Sequence, residues 1–351
     1  MKSRYLVYGA NGYTGRLVAR LAASRGEHPV IAGRAADEVG RLAKELALEH
    51  RVFALDDASA VDRGLEGMAV VLHCAGPFSR TYQAMADACL RTRTHYLDVT
   101  GEAVVFEALA ARDAEACQAG VMLLPGSGFD VVPSDCQALH LKNRLPTATR
   151  LSLGFQPVGG LSRGTATTMI ENLHRGGLVR RGGRLVSVPA GWKTREIDFG
   201  RGPRTAMTIP WGDVATAWYS TGIPDIEVYM AAPARVRIAT RLSRFVAPLL
   251  ATRWFQDRAR ARIRSGPPGP TDEQRARGRS LLWGEASDDS GRRVVSRLQG
   301  PEGYTLTAQA ALAIVGKVLG GEAPVGYQTP AKAYGADFVL GLEGVSRTDE
   351  R

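Results

Sequence analysis

Cysteine is scarce in this chain. The four residues, Cys74, Cys89, Cys117 and Cys136, show no C-x-x-C spacing and no histidine cluster beside them. That excludes a zinc ribbon or a dithiol redox pair, and reduced, buried thiols are expected. Long apolar runs are also missing. No stretch approaches the ~18 residues of a membrane-spanning helix, and the N-terminus enters an apolar strand with no leader pattern, so a cytoplasmic location is expected. Lysine supplies only six of the 45 basic residues. Acidic residues are nearly absent from one stretch. Residues 231–264 hold nine arginines against the single Asp257, a net +8 in a chain whose total is +10. The remainder is close to neutral, so no nucleic acid is expected among the partners.

What is present begins at 5–34. Tyr5, Leu6, Val7 and Tyr8 form an apolar run, followed by Gly9, Gly12 and Gly15 at G-x-x-G-x-x-G spacing. An amphipathic segment with Leu17, Val18 and Leu21 on one face comes next, then a second apolar run ending in Gly33-Arg34. Strand, glycine turn, helix and strand in that order are the context in which such glycines hold a dinucleotide. Gly9 permits the turn, Gly12 leaves room for the pyrophosphate, and Gly15 lets the helix approach the sheet. The N–H groups opening the helix favour an anion. Where an acid would take the ribose 2′-OH of NAD, this sequence has Arg34, which suits a 2′-phosphate; the plain alternative is a solvated loop arginine. NADP(H) is the expected cofactor, with Asn11, Tyr13 and Thr14 of the turn among its contacts.

At 351 residues, 44% hydrophobic and 23% charged, the chain has room for two domains. Alternating strands and helices continue: a helix over 37–49 with Val39, Leu42 and Leu46 on one side, and strands over 51–55, 69–74, 94–99 and 121–124. A helix over 81–91 falls between the fourth and fifth strands. Six strands with helices between them predict a doubly wound parallel sheet. Asp56 and Asp57 end the third strand, either near the adenine or as a helix N-cap. Cys74, Ala75, Gly76 and Pro77 leave the carboxyl end of the fourth strand, where ligands sit in such sheets. After Ser134 the pattern changes to β-type segments at 150–157, 185–189, 205–211, 226–231, 280–286 and 293–298, several alternating apolar with polar. This predicts an α+β domain on a mainly antiparallel sheet with one face against helices, and a helix over 162–174. Glycine-rich loops are expected at 159–164, 176–183 and 200–203. The expected division is 1–134, 135–320 and a tail, 321–351, returning to the first domain.

Five stretches resemble the saccharopine dehydrogenase-like family, particularly its trans-acting enoyl reductase branch. They are GANGYTG (9–15), CAGPFSRTY (74–82), THYLDVTGE (94–102), PGSGFDVVPSD (125–135) and GYTLTAQAAL…GYQTPAKA (303–333). The resemblance implies a Rossmann domain for NADP(H) and an inserted domain for substrate and dimer contacts. It implies reduction of either an amino-acid-linked imine or the C=C of a carrier-bound acyl chain. Other members have no settled activity and associate with lipid bodies or membranes. The turn Asp98–Glu102 departs from that of the amino-acid reductases, and no arginine pair suited to a diacid is evident. An enoyl substrate of lipid or polyketide type is therefore favoured. The imine reductase and a non-catalytic NADPH-binding lipid-surface protein are the alternatives.

Reduction at a nicotinamide needs a proton source. Tyr82 and Asp98 lie near sheet ends and are the catalytic candidates, Tyr82 to donate a proton and Asp98 to orient or relay. Tyr82 could equally be a helix-surface aromatic, and Asp98 a cap for the turn at 100–102. Asp130 could line the cleft, though capping of the helix begun by Pro133 is favoured. In the basic stretch, Ile238, Leu242, Phe245 and Leu249 form an apolar helical stripe beside Arg237, Arg241 and Arg244, interrupted by Pro248. Such a stripe suits anionic lipid, an acidic acyl carrier, or a dimer interface.

Overall fold

The structure, a computed structural model, describes residues 3–158, 160, 162–172 and 176–350. The chain divides into two compact units. The first takes residues up to Val132 and returns for Tyr304–Ala333; the second takes Pro133–Gly303 and Tyr334–Arg351. The sequence pattern places these bounds at 134/135 and 320/321 instead. The helix Gly303–Leu319 runs with the first unit, and the last residues join the second because the strand Ser346–Asp349 pairs with a strand there.

The first unit is built on β1 (Arg4–Tyr8), β2 (Val30–Gly33), β3 (His50–Val52), β4 (Met68–His73), β5 (His95–Asp98) and β6 (Met122–Leu124). With the short strand Gly326–Tyr327 they form one sheet in the order Gly326–Tyr327, β6, β5, β4, β1, β2, β3. Every pairing is parallel. Buried on both faces, β1, β2, β4 and β6 read as nearly unbroken apolar runs, whereas β3, at the sheet edge, is largely exposed. Six helices follow the strands: α1 (Tyr13–Ser24), α2 (Ala36–Leu46), α3 (Ala58–Leu65), α4 (Phe78–Thr92), α5 (Ala103–Ala110) and α6 (Asp113–Ala119). The buried face of α1 is Gly15, Val18, Ala19 and Ala22; of the expected Leu17, Val18 and Leu21, only Val18 is fully buried. Small residues at that spacing bring the helix close to the sheet, and the two leucines pack at its margin. The second helix stops at Leu46, short of Glu49, because Ala47 turns left-handed at φ 54°. The strand order reverses about β1: β2 and β3 extend to one side and β4 to β6 to the other. The crevice at the carboxyl ends of β1 and β4 is where open α/β sheets bind ligands.

The chain leaves this unit along α7 (Val132–Arg144). The second unit holds a mixed sheet of β7 (Arg150–Val158), β8 (Gly177–Arg181), β9 (Arg184–Val188), β10 (Thr194–Asp198), β11 (Pro203–Thr208), β12 (Asp225–Ala231), β13 (Arg279–Ser287), β14 (Arg293–Pro301) and Ser346–Asp349. Only β7 and β12 pair in parallel; the rest are antiparallel, as expected. Gln137 of α7 donates to the Ser296 carbonyl at 2.7 Å, tying the helix to β14. The sheet also carries a cluster of Ile197, Phe199, Ala206, Tyr229, Leu281, Trp283 and Val295. The glycines at 176–183 do not make a loop. Gly182 and Gly183, both at positive φ, turn the β8–β9 hairpin. The expected helix at 162–174 is Arg163–Asn172; its last two residues, and two of the 159–164 loop, lie outside the described residues.

Among the described residues no helix is long and apolar enough to cross a membrane, and no cluster of three potential ligands could hold a metal. All four cysteines are free thiols. Cys89 and Cys136 are buried as expected, Cys74 partly so, but Cys117 is exposed.

Candidate dinucleotide site

The crevice is assembled from the β1–α1 turn outward. Gly9 has φ 80°, and a Cβ there would sit 2.8–2.9 Å from Ala75 Cβ and N. A Cβ on Gly15 would lie 2.3 Å from the Gly9 carbonyl oxygen. Both glycines are thus required by the protein's own packing. Gly12 differs. Its backbone is extended, it is exposed, and a Cβ would meet only the Gly9 oxygen at 3.2 Å. Among the described residues nothing else comes within 4 Å of that position. Gly12 is also the N-cap of α1, with no side-chain cap and no acid in the first turn. The helix therefore begins with open N–H groups beside an open space, which fits a pyrophosphate.

A second helix N-terminus lies nearby and is closed. Pro77 precedes α4 with no side-chain cap of its own. Glu102 takes that place: it accepts from Phe78 N at 2.7 Å and from Ser79 N at 3.3 Å. Of the two dipole ends at the crevice, one carries the protein's own carboxylate and the other is free.

The loop Cys74–Pro77 meets the glycine turn through Ala75 against Gly9. It is braced from behind. Thr81 donates to the Ala75 carbonyl at 2.7 Å and lies 3.0 Å from His73 Nε2. Because the hydroxyl hydrogen goes to Ala75, His73 must be the Nε2–H tautomer donating to Thr81. Its Nδ1 is buried and has no partner, and burial pushes the imidazole down to about 3, so it is neutral. Burial, with Asp98 nearby, pushes the Cys74 thiol up to about 12, so it is not a thiolate nucleophile.

Arg34 is exposed just past β2, and among the described residues it makes no ion pair. Asp56 is exposed past β3, while Asp57 is the N-cap of α3, accepting from Ala60 N at 3.0 Å. The pair at 56–57 is thereby divided: capping belongs to Asp57, and Asp56 lies exposed in the loop after β3, which ends at Val52 rather than at the expected residue 55. Burial raises the Tyr8 phenol to about 12; Arg34 lowers it and Asp56 raises it, which puts both charges near the same ring. Asn11 donates to Glu38 at 2.8 Å, and Tyr13 stacks edge-on against Tyr304 at 5.0 Å. Thr14 is half-buried in the first turn of α1.

Asp98 turns inward. Its Oδ1 accepts from Thr100 N and Gly126 N, both at 2.9 Å, and its Oδ2 from Tyr96 Oη at 2.6 Å. The residue is fully buried, and burial outweighs these bonds to raise the carboxyl to about 6. It brackets the ends of β5 and β6 rather than presenting an oxygen to a ligand. Tyr82 is half-buried on α4, close enough to Tyr96 to raise that phenol further. Asp130 is not the expected helix cap. Its Oδ1 is buried with no hydrogen-bond partner, and a Cβ on Gly101 would lie 2.7 Å from Oδ2. Burial pushes this carboxyl up to about 7. The residue is legible in the GFD motif. Its unmatched environment, set by packing against Gly101, is not.

Residues 5–124 match the family described as Saccharopine dehydrogenase NADP binding domain. The match lies wholly within the first unit. A saccharopine dehydrogenase-like oxidoreductase of Homo sapiens is 26% identical over 160 residues, 40% of this chain and 37% of that protein. A trans-acting enoyl reductase of Mycobacterium leprae is 32% identical over 148 residues, 40% of this chain and 35% of that protein. These matches thus span well under half the length of those relatives. Saccharopine dehydrogenase (L-Glu forming) from Saccharomyces cerevisiae, solved in apo form, superposes over 99% of this chain and 100% of its own with a TM-score of 0.66. At 13% identity that likeness is one of fold. The matched stretch includes the turn with the open Gly12 and the start of α1 that no side chain caps.

Proposed function

We propose that this protein is an NADPH-dependent oxidoreductase that reduces the C=C bond of a lipid-like or polyketide-like acyl substrate, presented free or on a carrier. The observation that carries the cofactor half is the open N-terminus of α1 at Gly12, with the unpaired Arg34 beyond it. The 32% identity to a trans-acting enoyl reductase supports the substrate half.

In this reading the N–H groups of α1 hold the pyrophosphate and Arg34 the 2′-phosphate. The braced loop Cys74–Pro77, with Phe78 behind it, flanks the nicotinamide. When bound, the nicotinamide supplies hydride, and a proton must come from the chain or from water. Asp130 carries a proton part of the time near neutral pH, and Tyr82 offers a phenol; in this reading one of them delivers it. Asp98 acts by position, holding Tyr96 and the backbone at 100 and 126.

The match to a saccharopine dehydrogenase NADP-binding domain favours a second reading, an amino-acid-linked imine reductase. Following NADPH oxidation with enoyl thioesters, and separately with 2-oxo acid and amine mixtures, tells them apart. Turnover with the mixtures alone overturns the enoyl reading. NADPH binding with no turnover of either leaves a non-catalytic dinucleotide-binding protein.

A further inference from the structure

We infer that residues 234–265 form a surface that docks the protein on an anionic lipid interface. None of these residues belongs to the dinucleotide site, and the surface is independent of the reductase reading.

The segment is α10 (Ala234–Ser243), a 3-10 turn at Arg244–Val246, α11 (Ala247–Leu250) and α12 (Arg253–Ser265). Pro248 sits in the first turn of α11, where a missing N–H costs nothing, so the helical run bends and continues. The underside is fastened to the second unit. Arg237 donates to the Ala232 carbonyl at 2.7 Å. Gln256 donates to the carbonyls of Leu250 at 2.8 Å and Ile170 at 3.1 Å, and Arg260 to Glu171 at 3.0 Å. The other side is uncovered. Half of the large apolar side chains exposed among the described residues fall within 236–254. Phe245 is 69% exposed, Trp254 66%, Ile238 58%, Leu242 55% and Leu249 54%. Around them Arg235, Arg253, Arg258, Arg262 and Arg264 are exposed, and among the described residues they have no acidic partner.

An exposed apolar patch of this extent marks an interaction surface. Charge selects the occupant. In a two-fold dimer through this face each patch would bring Arg235, Arg253, Arg258, Arg262 and Arg264 against the same arginines of its copy, a repulsive arrangement. An acidic protein would answer the arginines, and a cleft lined by Arg235, Val236, Ala239, Thr240 and Ser243 opens on α10, but none of the most exposed apolar side chains, Phe245, Trp254, Ile238, Leu242 and Leu249, lines it. A lipid boundary meets both requirements at once. Phe245, Leu242 and Leu249 enter the acyl margin, Trp254 sits at headgroup level, and the free arginines reach phosphate and carboxylate.

The test is flotation of the full-length protein with phosphatidylcholine vesicles, with and without phosphatidylserine, over a range of salt. Binding is expected only with phosphatidylserine and is expected to weaken with salt. Both the Leu242→Ser/Phe245→Ser/Leu249→Ser variant and the Arg253→Ala/Arg258→Ala/Arg262→Ala variant are expected to lose at least about tenfold in vesicle affinity. NADPH binding by either variant reports that its fold is intact. Failure of the wild type to float with phosphatidylserine vesicles overturns the inference, as does equal flotation with phosphatidylcholine alone. So does vesicle binding that neither variant weakens, or a wild-type dimer, seen by light scattering, that the apolar variant dissociates while vesicles are ignored.

Discussion

Replacing Asp130 by asparagine is expected to make the protein more stable and less active. The carboxyl is pushed from its ordinary value of 3.8 to about 7 by burial, with Oδ1 unpartnered. At ~1.4 kcal/mol per pKa unit, the ionised form carries a penalty of roughly 4 kcal/mol. The residue is only half-buried and keeps part of its hydration, so about 2 kcal/mol is the working figure. The sign follows from proton linkage. A carboxyl whose folded pKa lies above its unfolded value binds its proton more tightly in the folded state. Wild-type stability therefore falls as pH rises from about 4 to about 7, and the loss is complete above that. Asparagine has the same shape and no charge, so D130N should unfold about 2 kcal/mol harder at about pH 8, with the difference vanishing near pH 4. A thermal or urea titration at several pH values measures it, with an expected Tm gain of ~4–8 °C at the alkaline end. Asp98, raised to about 6, adds a slope of the same sign to both proteins and cancels in the difference. A D130N variant no more stable than wild type at high pH, or one whose advantage is independent of pH, would refute the reasoning. If Asp130 also delivers the proton, NADPH turnover drops in the more stable variant, a trade of the kind functional sites show.

The glycine turn separates folding from binding. Gly15→Ala is expected to destabilise by about 1–3 kcal/mol or more, because its Cβ meets backbone at 2.3 Å. Gly12→Ala should stay within about 0.5 kcal/mol of wild type yet bind NADPH at least about tenfold more weakly by fluorescence titration. Equal destabilisation by both would show that Gly12 serves packing alone. Arg34→Ala is expected to weaken NADPH by roughly 10- to 100-fold and NADH little; equal losses would remove the 2′-phosphate assignment. Tyr82→Phe should lower kcat without changing Tm if the phenol delivers a proton, and an unchanged kcat leaves that role to Asp130 or water.

Much of the first sheet is readable from residue pattern alone, because parallel strands buried on both faces leave continuous apolar runs separated by helices. The glycine turn is readable for a similar reason: its spacing and its context are both local. What escapes are properties set by contacts distant in the chain. Asp98 looks available at a strand end, but Gly126, 28 residues later, and Tyr96 close over it. Asp130 looks like a cap, but Gly101 brings it into a site with no donor for Oδ1. Glu102 reads only as the end of the turn after β5, since the helix it caps begins 24 residues earlier. The β8–β9 hairpin reads as a loop because two glycines in a tight turn resemble glycines in an irregular one. Arg237 reads as one of the arginines beside the apolar stripe, yet its guanidinium holds the Ala232 carbonyl.

The carboxylate of Glu102 at the start of α4, together with the Thr81–His73 brace, has a kinetic consequence. The loop Cys74–Pro77 is held by the protein's own groups whether or not a cofactor is present. Little ordering of this wall is then left for the moment of encounter, so cofactor capture should proceed without a slow rearrangement step there. A wall finished in advance also carries no news of arrival. Any part of the protein that must distinguish the loaded from the empty state has to take that information from somewhere other than this loop.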